Sequence, residues 1–322
     1  MIMTYGNAIY QALHDEMEND LSVVLFGEDL QHNLYGYTGG LVQKFGEDRV
    51  IDIPLSENSV VGAACGAAMC GLKTIVDLTV PNFMYVAMDQ IASIAAKTKH
   101  MYNGQYDVPL TILCSSMQGN GNAAQHSDRL HSLFANIPGL IILCPATPQD
   151  MYSLLREGIQ SNSPVLCFAD RSLFWQKDDV DTNITNLIGK AHIVREGDNL
   201  TIVTISGCLT MIEEILPELA ERGIQPDIID IRTVNPLDYE TIKKSVEKTG
   251  KVVICDTANR KGSTANDIAS YLSENAFFYL KDAIQIVAGE NVPVPFEKGL
   301  EQKVLVSKDK IYNTIIKMFK QK

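Results

Sequence analysis

The sequence predicts an α/β protein built from two parallel-sheet domains. Short β-branched runs alternate with helix-period segments, a polar aperiodic stretch interrupts the alternation near the middle, and the alternation then resumes. With 322 residues, 46% of them hydrophobic and 20% charged, the chain can fill two ordinary cores.

Taken in order, Thr4 to Asn19 reads as a helix. Thr4 offers the cap oxygen, and Ala8, Ile9, Ala12, Leu13 and Met17 recur on one face. Strands are expected at Val23 to Phe26, Thr74 to Val80, Leu110 to Cys114, Leu140 to Pro145 and Val165 to Ala169, with further helices over Met84 to Lys99 and Pro148 to Gln160. After Phe174 the run Gln-Lys-Asp-Asp-Val-Asp-Thr-Asn has no apolar period and reads as a connection. The expected division is a first domain over residues 1–178, a linker over 179–190 and a second domain over 191–322. In the second domain, strands at Leu200 to Ile205, Asp227 to Ile231, Lys251 to Cys255 and Ala283 to Val287 alternate with helices near Met211 to Glu221, Asp238 to Thr249 and Ser263 to Glu274.

Composition excludes some functions. The net charge is −12 with the acids scattered, so no basic face exists to neutralise a phosphate backbone, and nucleic acid is not an expected partner. Seven cysteines form no C-x-x-C pair and sit mostly in apolar runs, which suits a reducing cytoplasm. The first residues lack a basic segment followed by an apolar one, and the longest apolar stretch, Val60 to Leu72, is shorter than the roughly 20 residues a membrane span needs. A soluble cytoplasmic protein is expected.

Three stretches carry candidate chemistry. Glu57 opens a helix whose body, Gly62-Ala-Ala-Cys-Gly66-Ala-Ala-Met-Cys-Gly71, is dense in small residues that let another backbone approach. The plainer alternative is that Ser56 caps this helix and Glu57 only favours its positive end. His126 lies in a loop after the flexible Gln118-Gly-Asn-Gly-Asn, where an imidazole could meet a ligand or simply face solvent. Gly119-Asn-Gly121-Asn-Ala-Ala124 also fits a loose G-x-G-x-x-A pattern, but no helix opens there and no ribose-binding acid follows. Thr79-Val-Pro-Asn-Phe83-Met-Tyr85 stands at a strand's carboxyl end, where ligands bind in parallel sheets; otherwise Phe83 and Tyr85 are core aromatics.

In order along the chain, Pro54-Leu-Ser-Glu57-Asn with Gly62-x-x-x-Gly66-Ala-Ala-Met, Asn82-Phe83 with Asp89-Gln90 and Ala95-Ala-Lys97-Thr98, and Gln125-His126-Ser127 with Ile137-Pro-Gly-Leu140 resemble the β subunit of 2-oxoacid dehydrogenase E1 components. So do Asp230-Ile-Arg232-Thr233-Val-Asn-Pro236-Leu-Asp238 and Gly289-Glu-Asn-Val-Pro293-Val-Pro295 further on. The resemblance implies a transketolase-like pyrimidine-binding domain followed by a transketolase C-terminal domain. It implies thiamine diphosphate shared with an E1 α subunit in an α2β2 heterotetramer, a small 2-oxo acid as substrate, and a lipoyl-bearing acyltransferase as acceptor.

By residue, the resemblance gives Glu57 the task of activating the cofactor through its aminopyrimidine ring. It sets Phe83 against that ring with Thr79 nearby, and makes His126 the group that orients the 2-oxo acid and assists acyl transfer, with Ser127 orienting its loop. No Gly-Asp-Gly followed by an Asn pair is present, so magnesium and the diphosphate contacts are expected on the α chain and no metal on this one. The family's alkali-cation loop corresponds to Gly158-Ile159-Gln-Ser161-Asn-Ser163, where Ser161 stands for an aspartate, and leaves a potassium ion open. Leu113-Cys114-Ser115-Ser116 lacks the arginine of many relatives, and Cys255-Asp256 replaces a His-Glu pair, which suggests altered contacts with the acyltransferase core. An acetoin-dehydrogenase-like or biosynthetic acyl or ketol transferase and a non-catalytic scaffold remain the alternatives.

Overall fold

The computed structural model describes residues 1–320. The first half forms β1 (Ile2–Thr4), α1 (Tyr5–Asn19), β2 (Val23–Gly27), α2 (Leu41–Phe45), β3 (Val50–Asp52), α3 (Glu57–Met69), β4 (Lys73–Asp77), α4 (Thr98–Met101), β5 (Leu110–Ser116), α5 (His131–Ala135), β6 (Ile141–Leu143), α6 (Pro148–Gln160), β7 (Val165–Asp170) and β8 (Lys177–Asp179). The second half forms β9 (His192–Arg195), β10 (Leu200–Thr204), α7 (Cys208–Glu221), β11 (Pro226–Asp230), β12 (Thr233–Asn235), α8 (Tyr239–Thr249), β13 (Val252–Asn259), α9 (Thr264–Asn275), β14 (Gln285–Gly289), α10 (Lys298–Val304) and α11 (Lys308–Lys320).

Two mostly parallel sheets result, ordered β12-β6-β7-β5-β4-β2-β3 and β14-β13-β10-β11-β9, as the alternation of strands and helices predicts. The antiparallel members are edges: β9 runs against β11 and β12 against β6. Because β12 comes from the second half and completes the first sheet, the two halves share a ladder, reinforced where Cys144 N–H donates to Arg232 O at 2.8 Å. The polar stretch after Phe174 is tied down at its start, since β8 pairs antiparallel with β1.

Thr4 caps α1 as expected, its hydroxyl oxygen accepting from Asn7 N–H, and Ala8, Ile9, Ala12, Leu13 and Met17 are buried. The helix expected over 84–99 is broken instead into a 3₁₀ turn at Pro81–Tyr85, a wide π-type segment at Gln90–Ala95, and α4. The π-type segment packs closely on α3. A Cβ on Gly62 would lie 3.1 Å from Gln90 Oε1, and Cys65 Sγ lies 4.0 Å from the Gln90 carbonyl, where the helical ladder is one residue wider. β4 ends at Asp77 rather than Val80, because Thr79 adopts φ 59°, a left-handed conformation rarely open to a β-branched residue.

Candidate active site

In a parallel sheet every strand delivers its following loop to the same edge. Here the carboxyl ends of the neighbours β3, β2, β4 and β5 bring Glu57, Glu28, Thr79 with Phe83, and the His126 loop to one rim.

Glu57 is the first residue of α3 and is half-buried. Ser56 does not cap the helix: its side chain makes no capping bond and donates to Pro54 O at 2.9 Å. The expected Ser56 cap is therefore absent, although Glu57 does stand in the helix's first turn; among the described residues its carboxylate has no hydrogen-bond or ion-pair partner. Glu28 lies close enough to feel it. Burial and then the Glu57 charge push the Glu28 carboxyl above its usual range, while the Ser56 amide pulls the other way. Behind them Asp77, fully enclosed, is pushed up to about 6 by burial, against the opposing bonds from Thr79 N–H at 2.9 Å and Tyr37 OH at 3.3 Å.

Phe83 and His126 meet edge to face, ring centroids 5.5 Å apart at 82°. Neither alternative reading holds: His126 is half-buried with Nδ1 enclosed and unpartnered, and Phe83 is half-exposed while Met84 takes the core position. Tyr85, expected in the core on the plainer view, is 47% exposed.

Asp128 locks the two segments together. Asn82 Nδ2 donates to its Oδ2 at 2.9 Å, Tyr85 OH donates to the same oxygen at 3.2 Å, and Asp128 N–H donates back to Asn82 Oδ1 at 3.1 Å. Sequence spacing could not reveal this link, since the partners are 46 residues apart and both are common loop residues. Glu28 was also missed, although an acid two residues past a predicted strand was a usable signal. Ser127 is buried, and its carbonyl accepts from Gln118 Nε2 at 2.7 Å.

Around the rim the hydroxyls of Thr79, Ser116 and Ser127 are buried without a partner among the described residues. Buried polar atoms are normally satisfied, by protein or by ordered water, so these hydroxyls are open to a partner beyond the chain's own groups. Glu57 and the Phe83–His126 pair stand on the same rim but are not in contact through any hydrogen bond or ring pair of the chain itself.

The loop at 158–163 is closed by a bond of its own. Ser161 Oγ accepts from Ser163 N–H at 3.0 Å, the segment has no carboxylate, and the neighbouring hollow is lined by Lys99 and His100. Asp256, which stands in the expected place of a His-Glu pair, is buried and bonded to His131 Nε2 at 2.9 Å between the two halves. No helix among the described residues is long and apolar enough to cross a membrane.

Known proteins agree with this architecture. The transketolase pyrimidine-binding domain family model matches residues 2–175, and the transketolase C-terminal domain model matches residues 189–311. The chain is 38% identical to the acetoin:2,6-dichlorophenolindophenol oxidoreductase subunit beta of Cupriavidus necator, covering 93% of this chain and 92% of that one. It is 35% identical to the 2-oxoisovalerate dehydrogenase subunit beta of Bacillus subtilis (96% of each), and 34% identical to the pyruvate dehydrogenase E1 component subunit beta of Rickettsia bellii (99% of each). Among solved structures, an inactive β4 tetramer of a split-gene transketolase superposes with a TM-score of 0.81 at 18% identity, covering 98% of this chain and 97% of that one. The chain therefore belongs to the transketolase-like family, among the β subunits of 2-oxoacid dehydrogenase E1 components and acetoin oxidoreductases.

Proposed function

We propose that this chain is the β half of a thiamine-diphosphate active site that decarboxylates a small 2-oxo acid and passes the acyl group to a lipoyl carrier, working only with an α subunit. The observation that carries the reading is the unpartnered Glu57 carboxylate on the same sheet rim as the Phe83–His126 pair. The bound cofactor supplies an electron sink for breaking the bond beside the substrate carbonyl.

This chain's residues would do the rest. Glu57 would exchange a proton with the aminopyrimidine ring through a charge-assisted hydrogen bond, for which its free oxygens are available. Phe83 would line that ring, and the unpartnered Thr79 hydroxyl offers a polar contact beside it. His126, held against Phe83 with an enclosed Nδ1, is suited to orient the 2-oxo acid and to handle a proton during acyl transfer.

The α partner would hold magnesium and the diphosphate. Among the described residues no group of three or more His, Cys, Asp and Glu gathers for a metal. The face of α3 bearing Ser59, Ala63, Gly66 and Cys70 is exposed, and a Cβ on Gly66 would meet nothing, which suits close coverage by another chain. Leu55, Tyr85 and Val86 extend that exposed surface beside the rim. The division of the chain that best accompanies this reading is 1–178 and 191–322, joined by 179–190.

Acetoin cleavage is the second reading. Two acetoin oxidoreductase β subunits are 38% and 35% identical to the chain, and β5 ends in the neutral Ser115–Ser116, beside which the Arg129 guanidinium is already paired with Asp170 at 2.7 Å. The test is Glu57→Gln, assembled with its α partner and assayed on 2-oxo acids and on acetoin. Assembly should persist and turnover should vanish; near-normal turnover would remove Glu57 from its assigned role.

A further inference from the structure

The loop that carries His126 is gripped from the other half of the molecule. Glu301, on α10, is fully buried, and its two carboxylate oxygens accept the backbone amides of Gly119 (2.8 Å) and Gly121 (3.0 Å). Both glycines have positive φ, 84° and 70°, so alternate N–H groups of the turn converge on one point and form a backbone cradle for an anion. A Cβ on Gly121 would lie 3.2 Å from Phe296 O, so the fit leaves little play.

The cradle is closed from within the loop as well. Asn120 and Asn122 side-chain amides both donate to Met117 O, at 3.2 and 3.0 Å, and Gln118 spans to Ser127 O. Arg129 then links Gln118 Oε1 (2.9 Å) to Asp170 (2.7 Å), which also accepts from Ser206 of the second half at 3.1 Å. The anchors through Glu301 and through Gln118 and Arg129 thus lead to buried residues.

We propose that Glu301 is a positioning residue for the active site: its carboxylate fixes the Gly119–Gly121 turn and thereby holds His126 edge-on to Phe83. A buried carboxylate without bonding partners is costly, so these two amides are what keep it there, and the loop is ordered in return. The chain would thus carry its imidazole on a glycine-rich loop whose shape is set by the second domain. The proposal rests on the reading of His126 as an active-site group.

The test uses the full chain and needs no turnover. In Glu301→Ala, amide exchange over 117–127 should rise about 100-fold, since two hydrogen bonds to a charged acceptor are lost, each worth roughly tenfold or more. Carbethoxylation of His126 by diethyl pyrocarbonate should accelerate in step, while exchange in strands such as Leu200–Thr204 stays unchanged. Glu301→Gln keeps the volume and one acceptor oxygen. It should fall between the two, and it serves if the alanine variant does not fold. Unchanged loop exchange in the glutamine variant, an equal rise across the second domain, or unaltered His126 reactivity despite a freed loop would each overturn the proposal. If the thiamine-diphosphate reading fails instead, Glu57→Gln stays active while these loop results stand, so the two failures are distinguishable.

Discussion

Truncating His131 to alanine strips the imidazole from a carboxylate that has nowhere to find water. Asp256 is 0% and His131 2% exposed, and they meet at 2.9 Å between the two halves. What remains for Asp256 is the Ala258 amide at 2.9 Å and a weak contact to Ala265 N–H at 3.4 Å. Leaving a buried carboxylate without that hydrogen-bond partner costs about 3 kcal/mol. The edge-on packing of His131 against Phe168, centroids 6.1 Å apart, adds about 0.5–1.5 kcal/mol, partly offset by the two surviving amides. A net loss of about 3 kcal/mol in urea unfolding at neutral pH is therefore expected.

Acid supplies an internal control for the same variant. Despite burial, His131 and the backbone amides hold the Asp256 carboxyl below its ordinary value, so its contribution is present above about pH 3.9 and fades as pH falls through the folded-state value. Without His131 much of that depression is lost, leaving only the two amides, and the gap between wild type and variant should narrow as the solution is acidified. A loss below about 1 kcal/mol at neutral pH, or a gap independent of pH, would show that the seam is wet and that the pair does not join the halves.

His126→Ala in the assembled enzyme should abolish acyl transfer while single-turnover decarboxylation is less affected; an equal collapse of both would reject the assigned role. For Asp77, a carboxyl whose folded value is raised to about 6 stabilises fully below the unfolded value and loses that contribution as pH rises through about 6. Asp77→Asn keeps both acceptor bonds on Oδ1, so it should raise stability at pH 7 by about 1–3 kcal/mol and change little near pH 4, as followed by thermal unfolding across that range. Gly139→Ala should destabilise by more than about 2 kcal/mol in denaturant titration, because φ is 102° and the added Cβ would fall 2.1 Å from Ala96 O.

The local pattern alone determined most of the elements. The α1 stripe, its threonine cap, and the apolar runs that became β2, β5, β7, β10 and β13 are properties of adjacent residues, and such properties survive folding. Missed elements differ in kind. Ile311, Ile315 and Ile316 of α11 carry a readable helical period, whereas β3 is three residues long and β12 is a strand only because β6 offers it an edge.

Glu57, Thr79, Phe83 and His126 were legible as candidates through the order of their motifs along the chain. Their surroundings were not. Asn82 with Asp128, His131 with Asp256, and Glu301 with Gly119 and Gly121 are separated by 46, 125 and about 180 residues, distances over which neither periodicity nor capping chemistry speaks. The sequence determined which chemistry this chain could carry, because side-chain types and strand ends are local facts. The tertiary structure alone decided which carboxylates are left free, as Glu57 is, and which are spent holding the molecule together, as Asp256 and Glu301 are. That distinction depends on what lies across the sheet and across the seam.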